Sequence, residues 1–270
     1  MIKKKGNVSW VRLPALGAVL IVLVTAQGCA QWFRNADEFH RPASPGGVAR
    51  PTPQTSDPSR VSAQVAASRS NVVKLIGNAP SCDNTRPEGT GFAYEPERVM
   101  TTAHLVAGTT GSITVIGPDG KRYRGRVILF DPSRDVAVLR VPSLRARSLV
   151  FGPINPGESA MVAGYSNGED LTVTSGDVSR STTAHGPDIY HKRQIRREIH
   201  IVHAPVKPEV PGGPLLRSDG TVSGMIFASD VHKPSGYALT AAEITRPAMD
   251  GRTATATVST QGCSWTLHAR

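Results

Sequence analysis

From Asn71 onward the period of the chain changes to two, in short strand-like runs separated by turn residues. Side chains along a strand point to opposite faces in turn, so runs of this kind are half-buried strands. A first set of six occupies 72–76, 89–94, 98–102, 112–116, 123–130 and 136–141. Between its fourth and fifth members lies Pro118-Asp119-Gly120, a strong hairpin signal. A second set of five follows at 160–165, 171–175, 199–202, 222–227 and 236–240, with Ser218-Asp219-Gly220 turning the chain before Val222. Residues 142–158 connect the sets through Pro and Gly, interrupted by the apolar Leu149-Val150-Phe151. Plentiful Gly (26) and Pro (21) with only 5% aromatics suit strands and turns more than a helical bundle. Pattern alone leaves barrels and sandwiches as alternatives.

The amino end is of another kind. Lys3, Lys4, Lys5 and Arg12 precede an uncharged stretch from Leu13 to Phe33, whose apolar centre is 13–26. Basic residues before an apolar run predict a cytoplasmic amino terminus and an exported remainder. The stretch 1–33 reads either as an uncleaved membrane helix, which needs about 20 apolar residues, or as a secretory signal. In the second case Ala26-Gln27-Gly28-Cys29 resembles a bacterial lipobox, with Cys29 the lipidated residue. The expected location is the cell membrane, with the domain on its extracytoplasmic side. Residues 34–57 hold Pro42, Pro45, Gly46, Gly47, Pro51 and Pro53 and too few apolar residues to pack, which predicts a linker. Asp57-Pro58 reads as a helix start, giving a short helix over 58–69.

The formal net charge is +10, of which the amino-terminal Lys and Arg supply four, leaving +6 for a remainder without interleaved basic and aromatic motifs. Nucleic acid is therefore not an expected partner. The densest basic run is His191-Lys192-Arg193-Gln194-Ile195-Arg196-Arg197. It reads first as a solvated hairpin loop, and otherwise as a patch for an anionic surface carried by Lys192, Arg193, Arg196 and Arg197. His200 and His203 alternate with apolar neighbours and read as structural. No spacing resembles a metal site, and no cofactor is expected. If Cys29 belongs to the anchor, Cys82 and Cys263 remain as an even pair in an oxidising compartment, two isolated thiols being the alternative.

Three motifs carry the chemistry. Thr101-Thr102-Ala103-His104-Leu105-Val106-Ala107-Gly108 looks like the histidine motif of trypsin-like serine proteases. Asp131-Pro132-Ser133-Arg134-Asp135-Val136-Ala137-Val138-Leu139 looks like the aspartate motif, with Asp135 31 residues after His104. Pro211-Gly212-Gly213-Pro214 lies 76 residues beyond Asp135, where that superfamily has its Ser-Gly-Gly-Pro. The chain resembles the bacterial, HtrA-like branch, and within it the membrane-anchored periplasmic proteases of mycobacteria linked to acid resistance. Further cues are Ala66-Ala67-Ser68-Arg69-Ser70-Asn71-Val72-Val73-Lys74, Ala79-Pro80-Ser81-Cys82, Gly186-Pro187-Asp188-Ile189-Tyr190, Gly236-Tyr237-Ala238-Leu239-Thr240 and Val258-Ser259-Thr260-Gln261-Gly262-Cys263.

The resemblance implies an all-β domain over 58–270: two six-stranded antiparallel barrels, at about 71–141 and 149–245, and a tail over 246–270. It also implies a Cys82–Cys263 bridge and an active site in the cleft between the barrels. His104 and Asp135 would be the general base and its orienting carboxylate. The nucleophile position holds Pro211, and the oxyanion-hole region comprises Glu209, Val210, Gly212 and Gly213. Proline has neither a hydroxyl nor a backbone N–H, so both the nucleophile and one oxyanion donor are missing. Glu209 stands where the second donor is normally a glycine. Ser218, Ser223 and Ser229 follow but fall in or near pocket-wall strands rather than at the turn. The expected function is an exported, membrane-tethered protease homologue without peptidase activity. It would bind an extended peptide along an exposed strand, Phe227-Ala228-Ser229. A serine endopeptidase with a divergent nucleophile and a structural spacer are the alternatives.

Overall fold

The structure is a computed structural model that describes residues 70–82, 86–165, 170–206, 210–230 and 232–264. The anchor at 1–33 with Cys29, the linker at 34–57, the helix at 58–69 and Glu209 lie outside the described residues. Among the described residues no helix is long and apolar enough to cross a membrane.

The first set of runs forms β1 (Val72–Ile76), β2 (Glu88–Glu95), β3 (Arg98–Thr101), β4 (Ile113–Ile116), β5 (Arg122–Asp131) and β6 (Val136–Arg140), with the one-turn helix α1 (Ala103–Val106) after β3. These six strands close into an antiparallel barrel in the order β1-β2-β3-β6-β5-β4. The pleat of β2 shows how the sequence allows this. Gly91 faces inward, where an added Cβ would meet Val99, Leu75 and the Met100 carbonyl at 2.8–3.0 Å. Ala93 joins the same core, built around Val73, Leu75, Val115, Val127 and Leu139. Phe92 and Tyr94, on the opposite face of β2, enter a second core instead.

The second barrel comprises β7 (Ser159–Tyr165), β8 (Leu171–Pro187), β9 (Gln194–His203), β10 (Pro214–Arg217), β11 (Val222–Ser229) and β12 (Ser235–Thr240). It closes as β10-β11-β12-β9-β8-β7. β10 was not among the five runs read from the sequence; it begins inside the Gly-Gly-Pro motif. β8 and β9 extend well beyond the expected 171–175 and 199–202, pairing from Asp177↔His203 to Pro187↔Gln194. Their length corrects the loop reading of the basic run, because Gln194 to Arg197 are strand.

Between the barrels lies the second core, where Phe92, Tyr94, Met100 and Val138 meet Met161, Ile199, Leu216, Met225 and Leu239. The connection 142–158 adds Leu149 and Phe151 to it, while Val150 between them is 71% exposed. The tail expected from residue 246 is also corrected. Helix α2 (Ala241–Thr253) follows β12 directly and contains Pro247, and it packs Ile244 and Ala248 into the inter-barrel core. Tyr94 donates its hydroxyl to the Ala248 carbonyl at 3.0 Å. Arg98 donates to the carbonyls of Gly251 at 2.8 Å and Arg252 at 3.0 Å, satisfying orphan carbonyls of the last turn. A helix from the second barrel is thereby strapped to the first.

Past α2 the chain returns along barrel one, with Val258 N–H on the Val127 carbonyl and Gly108 N–H on the Thr260 carbonyl. It ends in the expected Cys82–Cys263 disulfide. Gly108 sits at φ +70°, and a Cβ there would lie 2.4 Å from Cys82 Sγ. Glycine is therefore required on two counts. The bridge spans a sequence separation of 181 residues, and in the chain-entropy model such a loop is worth about 5 kcal/mol at most. Cys263→Ser is expected to lower stability by up to that amount, read as a lower denaturant midpoint. Equal midpoints with and without reductant would show that the bridge contributes nothing.

Candidate active site

Helix α1 is too short to be stable alone and is held by what it buries: Ala103, Leu105 and Val106 enter barrel one. That leaves His104 on the open side, its side chain 17% exposed. Asp135 reaches it from the turn between β5 and β6. Asp131 builds that turn by accepting the backbone N–H groups of Ser133 and Arg134 at 3.0 and 2.9 Å. Asp135 itself adopts φ +63°, a region that Asp tolerates better than most residues. Its Oδ1 accepts the His104 backbone N–H at 2.8 Å, and its Oδ2 lies 2.7 Å from His104 Nδ1. The carboxylate fixes the backbone and the ring together. With Nδ1–H donating to the carboxylate, Nε2 is the basic nitrogen.

The turn at 210–213 approaches from the second barrel. Thr90 N–H donates to the Pro211 carbonyl at 3.3 Å, and Gly212 N–H donates to the Ile226 carbonyl at 2.8 Å. Gly212 sits at φ +89°, where a Cβ would fall 2.0 Å from the Thr90 carbonyl oxygen and 2.5 Å from Thr101 Oγ1. The turn is thus pressed against β2 and the end of β3, the strand that leads to His104. Val210 points the other way, buried at 3% exposure in the core of barrel two. Its Cγ1 occupies the space an added Cβ on Gly164 would need. Val210 is therefore a packing residue and not a lining residue of the site.

Ile226 N–H bonds the Gly213 carbonyl, so the β10 side of β11 is used as far as Ile226. Beyond it Ala228 and Ser229 pair with Tyr237 and Gly236 of β12, after a register shift at Phe227. The bulge re-aims this end of the strand, and Phe227, Ala228 and Ser229 are all half-buried. Of the other serines considered, Ser223 is fully buried. Ser218 lies in the turn before β11, and Ser229 lies at the end of that strand.

Both readings of the basic run, solvated loop or anionic-surface patch, leave Arg197 at the surface. It is 2% exposed, because the alternation of β9 turns it inward while Arg196 and Glu198 face solvent. Its Nε donates to the Ser133 carbonyl at 2.8 Å and its Nη1 to the Pro187 carbonyl at 3.4 Å. Burial works against its charge; Asp135, Glu243, Asp131 and Asp188 work to keep it. Arg197 thus reaches from barrel two into the turn that carries Asp135, and Ile189 N–H reinforces the contact on the Pro132 carbonyl. Lys192, Arg193 and Arg196 remain exposed, with the Lys192 ammonium 5.5 Å from the centre of the Tyr190 ring. Burial, helped by Asp188, pushes the Tyr190 hydroxyl up to about 12. That hydroxyl donates to the carbonyls of Thr260 and Gly262, both at 3.2 Å.

A family model for the trypsin-like peptidase domain matches residues 89–225, which hold His104, Asp135 and the 210–213 turn. The chain belongs to the trypsin-like peptidase family. Serine protease Rv3671c of Mycobacterium tuberculosis is 39% identical over 184 residues, 67% of this chain and 46% of that protein. A probable periplasmic serine endoprotease, DegP-like, of Chlamydia pneumoniae is 35% identical over 51% of this chain and 28% of its own length. The chain therefore spans less than half the length of either curated relative. The crystal structure of the active form of Rv3671c protease superposes with a TM-score of 0.72 at 35% identity, covering 82% of this chain and all of that one.

Trypsin-like domains set two barrels side by side, and here Arg197 bridges them at the Asp135 turn. Arg197→Met is expected to cost roughly 3–5 kcal/mol, the scale for removing one partner from a buried charged cluster. Chemical denaturation measures it. A cost below about 1 kcal/mol, as at an exposed pair, would mean that Arg197 does not hold the turn.

Proposed function

We propose that this protein is an exported, membrane-tethered member of the trypsin-like family without peptidase activity, working by binding an extended peptide in the cleft between its barrels. The observation that carries the reading is Pro211. It stands in the turn pressed onto Thr90 and Thr101, two residues before the Gly213–Ile226 contact, where the family has its serine. His104 and Asp135 are the base and orienting carboxylate of the former triad. Pro211 offers His104 no proton to take and an incoming oxyanion no N–H. Loss of one oxyanion donor alone costs roughly 10²–10³ in rate.

Peptide capture needs none of the missing groups. An extended segment laid beside β11 past Ile226 is held by main-chain hydrogen bonds, and the half-buried Phe227, Ala228 and Ser229 supply that edge. Export is supported by the basic-then-apolar amino end, by the disulfide, and by the periplasmic designation of the DegP-like relative. Tethering by 1–33 predicts that the intact protein sediments with membranes while its domain is open to external protease. Intact protein in the cytosolic fraction would overturn it.

Restoration tests the loss of chemistry. Pro211→Ser alone is expected to give weak hydrolysis, because Glu209 still occupies the place of a glycine. Glu209→Gly with Pro211→Ser is expected to exceed it, since nucleophile and oxyanion site act as a unit. Val210 is best left in place: Val210→Asn would bury an amide in the barrel core and cost roughly 1–3 kcal/mol. Hydrolysis of a mixed peptide library is the readout. Peptide cleavage by the unmodified protein, abolished by His104→Ala, would contradict the reading.

A further inference from the structure

Ser181 and His200 face each other directly across β8 and β9. The Ser181 hydroxyl lies 2.8 Å from His200 Nδ1. The two differ sharply in environment: His200 is 4% exposed, while Ser181 is open to solvent. A register shift between Val178 and Arg180 comes just before Ser181, a device that commonly re-aims a side chain near a functional site. Burial pulls the His200 imidazole below its ordinary value, partly offset by the backbone of Ser223, and no charged side chain contributes. The ring is therefore neutral at neutral pH. With its N–H turned to the Ser223 backbone, Nδ1 is left to accept the Ser181 proton.

An exposed hydroxyl on a buried neutral imidazole is the arrangement of an activated nucleophile and its base. Neither residue belongs to the His104–Asp135 pair. We propose that Ser181 and His200 form a second serine–imidazole dyad, in which Ser181 is acylated by activated esters and phosphonylated by fluorophosphonates. In the acyl case Ser181 Oγ forms the new bond to the ester carbonyl carbon while its proton passes to His200 Nδ1. The tetrahedral centre then expels the phenolate, and His200 returns the proton to solvent. The products are O-acylserine, a phenolate and a proton released to solvent; in the phosphonyl case the Oγ–P bond forms as the P–F bond breaks and fluoride leaves, and neither case consumes an oxidant or a metal. A phenolate departs without protonation, so activated esters are the substrate class, and peptides are not.

Ser179 supplies an internal control. It too is exposed on the same strand, but its hydroxyl donates to the Ile201 carbonyl at 3.0 Å and faces no base. The full chain is treated with p-nitrophenyl acetate and digested with trypsin. Cleavage after Arg180 and Lys192 separates Ser181 from Ser179 and from the peptide carrying residue 211. Ser181 is expected to acetylate about 100-fold faster than Ser179, the lower end of general-base assistance. Its rate should hold down to a pH below the ordinary imidazole value of about 6.5 and fall only as His200 gains a proton. Ser181→Ala removes the adduct, and His200→Gln slows it about 100-fold. Equal labelling of Ser181 and Ser179, or adducts confined to other residues, would overturn the dyad. Should His200→Gln not fold, the Ser181-to-Ser179 ratio and pH profile of the unmodified protein decide. A label on the peptide carrying residue 211 of Pro211→Ser speaks to the proposed loss of peptidase chemistry, and a label on 181–192 does not.

Discussion

Thr90 ties the two barrels together, and the geometry of the cleft depends on that tie. Its backbone N–H holds the Pro211 carbonyl, and its carbonyl accepts the Thr101 hydroxyl at 2.7 Å. Its own hydroxyl accepts the Tyr165 N–H at 2.8 Å from β7. One residue on β2 thus fixes the 210–213 turn, the strand leading to His104 and the nearest strand of the second barrel. Each such bond is worth only about 1 kcal/mol net. What makes them decisive is burial, because Thr90 is inaccessible to solvent and an unmade bond there has no water to replace it. Gly212 follows from the same contact, since any side chain at that position would strike the Thr90 carbonyl.

Further links cross between the barrels. Arg197 joins β9 to the Asp135 turn, and α2 joins β12 to β3 through Arg98 and to β2 through Tyr94. These links hold the scaffold that presents His104 and Asp135 whether or not a nucleophile stands at 211. On the proposed reading stability and catalysis are separable: the contacts that keep the cleft in shape lie in the barrels, and the positions proposed to have lost their chemistry lie in one short turn. A lineage that loses the second set and keeps the first retains the shape of the cleft, which is what the proposed binding role requires.

The strands of barrel one were legible because each is a short, largely apolar run bounded by turn residues, although β2, β3 and β6 are buried on both faces, and His104 and Asp135 were legible as motifs with family spacing. β10 was hidden because Pro214, Leu215, Leu216 and Arg217 show no alternation and follow directly on a motif. Helix α2 was hidden by Pro247 and Gly251, which read as breakers. Yet Pro247 is buried against the barrels, and Gly251 lets the helix approach Tyr94 and Val138. Arg197 was misplaced for a tertiary reason. A basic run has no visible inward face until the strand register is known, and only then does Arg197 separate from Arg196. His200 and His203 read alike as structural, yet His200 is buried and the His203 side chain is 64% exposed, and Ser181 meets His200 across a bulged pairing that no local pattern encodes.

The central claim is that the cleft binds without cutting. Its most direct measurement follows binding and bond cleavage in the same sample: the protein is titrated with a library of extended peptides, and the bound fraction is eluted and weighed by mass spectrometry. The account predicts saturable binding that is weakened by substitutions at Ala228 and Ser229, with every eluted peptide at its starting mass. Eluted fragments that share a common cleavage site would contradict it, as would the absence of binding by any extended peptide.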